Sequence, residues 1–204
     1  MQRRCVIISG GAGHEIGGIA SGDFVIACDR GYQYAAAAGI RPDLVIGDFD
    51  SYGGTVAPDV PVRRLPVEKD DTDTMSAVRY ACAEGFAEVR ILCALGGRLD
   101  HLIANLQTLV FAVKHGVRAS IESPGSRVLA LKDETRRFPR REGFSLSVFA
   151  VSDRCRVSIR GAKYELDSAI LTNAFPLGAS NEWATDEAEI SVREGVALVV
   201  ESLL

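Results

Sequence analysis

The hydrophobic period of the chain changes once. Up to about residue 120, short apolar runs of strand length alternate with stretches that are apolar at helical spacing, and from about residue 123 no helical period remains. The first pattern belongs to a parallel sheet with crossover helices. In the second, Cys155, Val157 and Ile159 alternate with Arg156, Ser158 and Arg160, and Ile190 and Val192 alternate with Ser191 and Arg193, as in an antiparallel sandwich. The expected fold is therefore α/β: an N-terminal parallel-sheet α/β domain over residues 1–122, followed by a smaller antiparallel β-sandwich domain over residues 123–204. Ser123, Pro124 and Gly125 join them as a turn, not as a flexible linker. A chain of 204 residues that is 47% hydrophobic has the material for both cores.

Strands are predicted at residues 5–9, 24–28, 44–46, 62–65, 89–95 and 119–122. The clearest helix is predicted at 99–114, where Leu99, Leu102, Ile103, Leu106, Leu109, Val110 and Val113 form one stripe and Gly116 follows. A second helix is expected over about 73–84, with Met75, Val78 and Cys82 on one side, and a third over 34–38.

Composition removes several classes. The 23 basic residues against 27 acidic ones leave a net charge of −4, which speaks against a nucleic-acid surface. The apolar stretch 102–113 is interrupted by Asn105, Gln107 and Thr108 and falls short of the ~20 apolar residues of a membrane span. After Arg3 and Arg4 the apolar run is too short for a signal-peptide core, so the cytoplasm is the expected compartment. The five cysteines form no CxxC pair and read as reduced core residues, and none of the three histidines is spaced with a cysteine as in a zinc site. Any metal must then be held by oxygen. The basic cluster Arg136, Arg137, Arg140 and Arg141 reads as a solvated hairpin tip.

Acidic residues concentrate where chemistry is expected. Ten of the 14 aspartates lie between Asp23 and Asp100, several directly after a predicted strand. The carboxyl ends of parallel strands share one rim, where ligands bind. In GDFDS at 47–51, an extended backbone points Asp48 and Asp50 the same way. Two carboxylates ~4 Å apart repel by about 4 kcal/mol at an effective dielectric of ~20, so the pair calls for a cation, and an all-oxygen site suits magnesium. The same residues also suit a plain turn. In KDDTD at 69–73, Asp71 or Thr72 can cap the following helix, which leaves Lys69, one of only four lysines, unexplained beside Asp70, Asp71 and Asp73.

GGRLDH at 96–101 supplies two glycines for close backbone approach, a helix N-terminus suited to anions, and a permanent phosphate contact in Arg98. Asp100 falls in the first helical turn, as a dipole complement or a further metal ligand. His101 is open to a catalytic or a merely hydrogen-bonded role. GGAG at 10–13 matches neither the dinucleotide fingerprint nor a P-loop and reads as a flexible turn. Asp29, Asp48, Asp50, Asp70, Asp73 and Asp100 with Lys69 and Arg98 thus compose a metal-dependent site for a polyphosphate.

In order, DRG at Asp29, GIRPD at 39–43, GDFDS at 47, KDDTD at 69, GGRLDH at 96 with Asn105 beyond it, and SNEW at Ser180 resemble the thiamine pyrophosphokinases (thiamine diphosphokinases) across nearly the whole chain. The resemblance implies a homodimer with sites formed between chains, and transfer of pyrophosphate from Mg-ATP to the thiamine hydroxyl, giving thiamine diphosphate and AMP. It implies that Asp48, Asp50, Asp73 and Asp100 form the Mg-ATP site and that Lys69, Arg98 and Ser51 contact phosphates. Asp29 and Gly31 would line the nucleotide pocket, with Asp70, Thr72 and His101 in the same motifs. Ser180 and Asn181 match the thiamine-side Ser-Asn pair. Asp50 or Asp73 would orient or deprotonate the thiamine hydroxyl. Many family members carry a second glycine where Arg30 stands. Trp183, the only tryptophan, either stacks on a thiamine ring or packs in the sandwich, and Tyr164 is open in the same way. A metal-dependent phosphohydrolase fits less well, because Gly47 precedes and Ser51 follows the DxD pair. A non-catalytic binder of thiamine or nucleotide is disfavoured by the full set of carboxylates.

Overall fold

The computed structural model describes residues 3–13, 15–48, 55–66 and 71–204. The chain divides into two compact units, residues 1–124 and 125–204.

In the first unit, β1 (Arg4–Ile8), β2 (Phe24–Cys28), β3 (Leu44–Gly47), β4 (Val62–Arg64), β5 (Glu88–Leu92) and β6 (Arg118–Ser123) form a wholly parallel sheet in the order β6-β5-β1-β2-β3-β4. Strands buried on both faces must be apolar throughout, and Cys5, Val6, Ile7 and Ile8 are all inaccessible to solvent. Val6 and Ile8 pack with Ala35 of α1 (Gly31–Ala37) and with Ile16 and Ile19. Ser9, on the parity of Cys5 and Ile7, bonds through Oγ to Thr74 Oγ1 at 2.7 Å and so puts α2 (Asp73–Ala83) on the other face. Helix α3 (Leu99–Lys114) packs against α2 and β6. The strand order reverses between β1 and β5, and at such a reversal the carboxyl ends of a parallel sheet offer a crevice.

Helix α3 has the predicted ends but not the predicted buried face. Its buried residues are Asn105, Thr108, Leu109 and Ala112, while Leu99 and Ile103 of the leucine-rich stripe are 69% and 52% exposed. Helix α1 begins three residues before its expected start. Strand β5 ends at Leu92 although the apolar run continues, because Cys93 turns the backbone left-handed at φ +55°.

The second unit is the expected antiparallel sandwich. One sheet has the order β12-β9-β14-β7, from β7 (Ser126–Lys132), β9 (Phe144–Ala150), β12 (Gly178–Asn181) and β14 (Val196–Leu203). The other has the order β11-β10-β13-β8, from β8 (Thr135–Pro139), β10 (Arg154–Arg160), β11 (Leu166–Thr172) and β13 (Glu187–Arg193). Leu129, Leu131, Leu146, Val148 and Val199 of the first sheet share one core with Cys155, Val157, Ile159, Ile190 and Val192 of the second. The arginine cluster is not a solvated hairpin tip. Arg136 and Arg137 lie on β8, Arg137 pairs with Glu187 and Glu189 of β13, and Arg141 pairs with the buried Glu201.

Candidate functional site

The crevice at the β1/β5 reversal opens into a cavity of about 640 Å³, within the roughly 300–1,000 Å³ usual for ligand sites. Asp29, Asp48, Thr72, Asp73, Arg98, His101 and Asn105 line it, so six of the expected nucleotide-site residues, with Asn105 of the motif sequence, converge from four separate segments. Asp50, Ser51, Lys69 and Asp70 lie outside the described residues.

Each wall has a local cause. Asp29 leaves β2 in a left-handed conformation, φ +45°, with its N–H donating to the Ile46 carbonyl, and the residue is left only 8% exposed. Gly31 follows because nothing larger fits: a Cβ there would lie 2.0 Å from the Ile8 carbonyl oxygen. Gly31 is therefore the point where α1 closes on β1, and it does not itself line the cavity. Asp48 continues from β3. Thr72 caps α2, its Oγ1 accepting the Met75 N–H at 3.1 Å, which sets Asp73 in the first helical turn facing the cavity. Beneath it the Cys28 thiol donates to the Asp73 carbonyl.

On the β5 side, Gly96 and Gly97 have φ +81° and +76°, a run that only glycine adopts without strain, and they bring backbone to the cavity edge before α3 begins. Arg98 lines the cavity and grips Asp100 through two hydrogen bonds, Nε to Oδ1 at 3.1 Å and Nη2 to Oδ2 at 2.6 Å. That guanidinium holds the Asp100 carboxyl below the usual carboxylate range. Both side chains are well exposed, so the pair positions charge more than it stabilises the fold. Asn105 is buried and donates to the Ala94 carbonyl at 2.8 Å, anchoring α3 to the end of the β5 run.

The oxygen donors Asp29, Asp48 and Asp73 share one cavity, a set suited to a hard cation that keeps part of its water, while the Cys28 thiol in the same lining donates to the Asp73 carbonyl. Among the described residues no three acidic, histidine or cysteine side chains close up into a finished metal site.

Sequence reasoning missed the 10–13 loop. It is no free turn: the Gly11 N–H donates to the Cys93 carbonyl at 3.0 Å, and residues 10–13 line the cavity next to Gly96 and Gly97, with Ala12 against Gly96. Arg30, Tyr34, Ser9 and Thr74 line it as well. The available signal was the loop's place directly after the first strand.

The expected thiamine-side residues lie in the second unit. Ser180 has φ +55° at a register shift in the pairing of β12 with β9, and its N–H donates to Ser147 Oγ. Such a non-glycine residue is strained, and strain of this kind gathers at functional positions. Asn181 is buried, and its side chain clamps a neighbouring loop: Oδ1 accepts the N–H groups of Tyr164 and Glu182, and Nδ2 donates to the Tyr164 carbonyl. Tyr164 is 63% exposed. Trp183 is 7% exposed within the sandwich core, its Nε1–H donating to the Phe138 carbonyl at 2.9 Å, which is the packing alternative of the two left open by sequence.

Comparison with known proteins agrees with this arrangement. A family model described as "Thiamin pyrophosphokinase, catalytic domain" matches residues 19–121, and one described as "Thiamin pyrophosphokinase, vitamin B1 binding domain" matches residues 135–197. The chain is 27% identical over 192 residues to thiamine pyrophosphokinase of Bacillus subtilis, covering 87% of this chain and 86% of that protein. The crystal structure of the Bacillus subtilis enzyme superposes with a TM-score of 0.89 at 24% identity, covering 99% of this chain and 100% of the other. That of thiamin pyrophosphokinase from Geobacillus thermodenitrificans gives 0.83 at 25% identity, covering 98% and 97%. With both of its units matched in order, the chain belongs to the thiamin pyrophosphokinase family, enzymes that transfer pyrophosphate from ATP to thiamine.

Proposed function

We propose that the cavity of the first unit binds Mg-ATP and that thiamine is held by residues of the second, so that the thiamine hydroxyl attacks the β-phosphorus and AMP leaves. The observation that carries this reading is the convergence of Asp29, Asp48, Asp73 and Arg98 on one cavity at the carboxyl ends of parallel strands. Asp48, Asp50, Asp73 and Asp100 are the candidate magnesium ligands. Magnesium, when bound, neutralises phosphate charge and helps to align the leaving group. Arg98 contacts phosphate, releasing part of its hold on Asp100. By the motifs they belong to, Lys69, Ser51 and Asp70 act on the phosphates, while His101 stands at the cavity and Thr72 fixes the start of α2.

Asp73, held by the capped helix, or Asp50 accepts the proton as the hydroxyl oxygen forms its bond to phosphorus and the bond to the AMP oxygen breaks. Ser180 presents its exposed hydroxyl to thiamine. Asn181 holds the Tyr164 loop beside it, and Trp183 supports both from within the core. A homodimer completes the site between chains. The stripe of Leu99 and Ile103, exposed on the helix that Arg98 begins, supports such a partner surface. Among the described residues no helix is long and apolar enough to cross a membrane. Five free cysteines accord with a reducing, cytoplasmic setting.

The test is incubation with thiamine, ATP and magnesium, with and without a chelator, resolving the nucleotide products. AMP with thiamine diphosphate, lost on chelation, is expected. ADP, or phosphate released without an acceptor, refutes the reading. Asp50→Asn abolishes turnover by weakening metal binding, and near-normal activity at limiting magnesium overturns that assignment.

A further inference from the structure

We infer that Arg30 is a phosphate-binding residue for the nucleoside triphosphate, held ready for it by Tyr34; this rests on the reading of the cavity as the nucleotide site. The left-handed turn at Asp29 sends consecutive side chains different ways: the carboxylate is buried, while Arg30 emerges at the cavity wall. There Arg30 Nη2 donates to the Tyr34 hydroxyl at 3.1 Å, and its guanidinium carbon lies 5.9 Å from the centroid of the Tyr34 ring. The Tyr34 hydroxyl in turn donates to the Gly11 carbonyl at 2.9 Å. The ring lies flush on the loop, since a Cβ at Gly13 would meet it at 2.9 Å. Arg30, Tyr34 and residues 10–13 therefore make one rigid wall.

Charge singles Arg30 out on that wall. The cavity's other guanidinium, Arg98, is neutralised by Asp100. Arg30 has no carboxylate partner among the described residues, and the tyrosine hydroxyl satisfies only one of its five N–H donors. In a cavity that Asp29, Asp48 and Asp73 also line, a guanidinium with no carboxylate partner among the described residues keeps donors free for an anion. The oligophosphate of the co-substrate is the anion this cavity would receive. Tyr34 lowers the ordering cost of the long arginine side chain by fixing it beforehand.

The experiment varies ATP at saturating thiamine and magnesium in the wild type, Arg30→Gln, Arg30→Lys and Tyr34→Phe, with ATP binding followed in parallel by calorimetry without thiamine. For Arg30→Gln, KM for ATP should rise roughly 10- to 100-fold with kcat within about threefold, as expected for one charge-assisted contact. KM for thiamine should stay unchanged, the salt dependence of ATP binding should weaken, and Arg30→Lys should recover most of the loss. An unchanged ATP affinity in Arg30→Gln overturns the inference. So does a Tyr34→Phe variant that reproduces the whole loss while Arg30→Lys recovers none of it, since Arg30 would then act only as a prop for the loop. A wild type that binds ATP but forms no thiamine diphosphate would refute the proposed reaction, and the calorimetric comparison would still decide the role of Arg30.

Discussion

Replacing Trp183 separates the two roles open to an isolated tryptophan near a substrate site. The ring sits in the sandwich core at 7% exposure and its N–H reaches the Phe138 carbonyl at 2.9 Å. Trp183→Phe keeps an aromatic ring but removes that donor and part of the buried surface. Losing about 50 Å² of apolar burial at ~25 cal/mol per Å² amounts to about 1.2 kcal/mol. The lost hydrogen bond adds ~1 kcal/mol, for a total of about 2 kcal/mol. Trp183→Ala, which empties the site, should cost about 3–5 kcal/mol. Urea unfolding followed by circular dichroism is the assay, because the substitution removes the only tryptophan fluorophore. With a slope of roughly 2 kcal/mol per molar, Trp183→Phe moves the midpoint down by about 1 M while KM for thiamine stays within twofold. A midpoint shift below about 0.25 M together with a tenfold rise in KM for thiamine would refute the packing assignment and put the ring against substrate.

Two further substitutions probe the first unit. Gly31→Ala places a Cβ 2.0 Å from the Ile8 carbonyl oxygen, so α1 must move off β1 by more than an ångström; a loss of about 3 kcal/mol or more with weakened ATP binding is expected, and a thermal melt like the wild type's would show the closure to be slack. Asp23 accepts Arg4 Nε at 2.8 Å and the Ala20 N–H at 2.7 Å, and the Arg4 guanidinium holds its carboxyl below the usual range. A folded-state value below the unfolded one stabilises the protein above about pH 4, and the contribution disappears as pH falls through the lowered value. Asp23→Asn should therefore cost about 2 kcal/mol at pH 7 and progressively less as pH falls below about 4, and a cost independent of pH in urea titrations would contradict it.

The elements that could be read from sequence are those in which local pattern and tertiary demand agree. The alternation in β10 and β13 is reproduced residue by residue in their burial, because a strand of a sandwich has one buried face. Helix α3 was legible in extent but not in orientation. Its apolar stripe is wider than the surface it packs on, and Asn105 is drawn inward by the Ala94 carbonyl, while Thr108 can be buried because its hydroxyl is satisfied by the Ala104 carbonyl of the same helix. The carboxylates and Arg98 were visible because charged residues after parallel strands have few other reasons to gather. The 10–13 loop was not, since its part in the wall depends on Cys93 and Tyr34, residues 82 and 23 positions from Gly11 that no motif ties to it. Gly31 is a similar case. Its neighbourhood in the motif suggested ligand contact, whereas its reason is the closeness of β1.

The position of β14 bears on the order in which the two units can form during synthesis. It pairs with both β7 and β9, Val199 lying opposite Leu129 and Val148, so the middle of that sheet is its last-made strand. The first unit has all six of its strands by Ser123. On the ribosome, the first unit can therefore close while β7 and β9 still wait, with apolar faces and edges not yet paired with β14, for residues 196–203. A nascent chain stalled short of Val196 would carry the first unit's cavity already formed and, with it, an open, aggregation-prone half-sandwich.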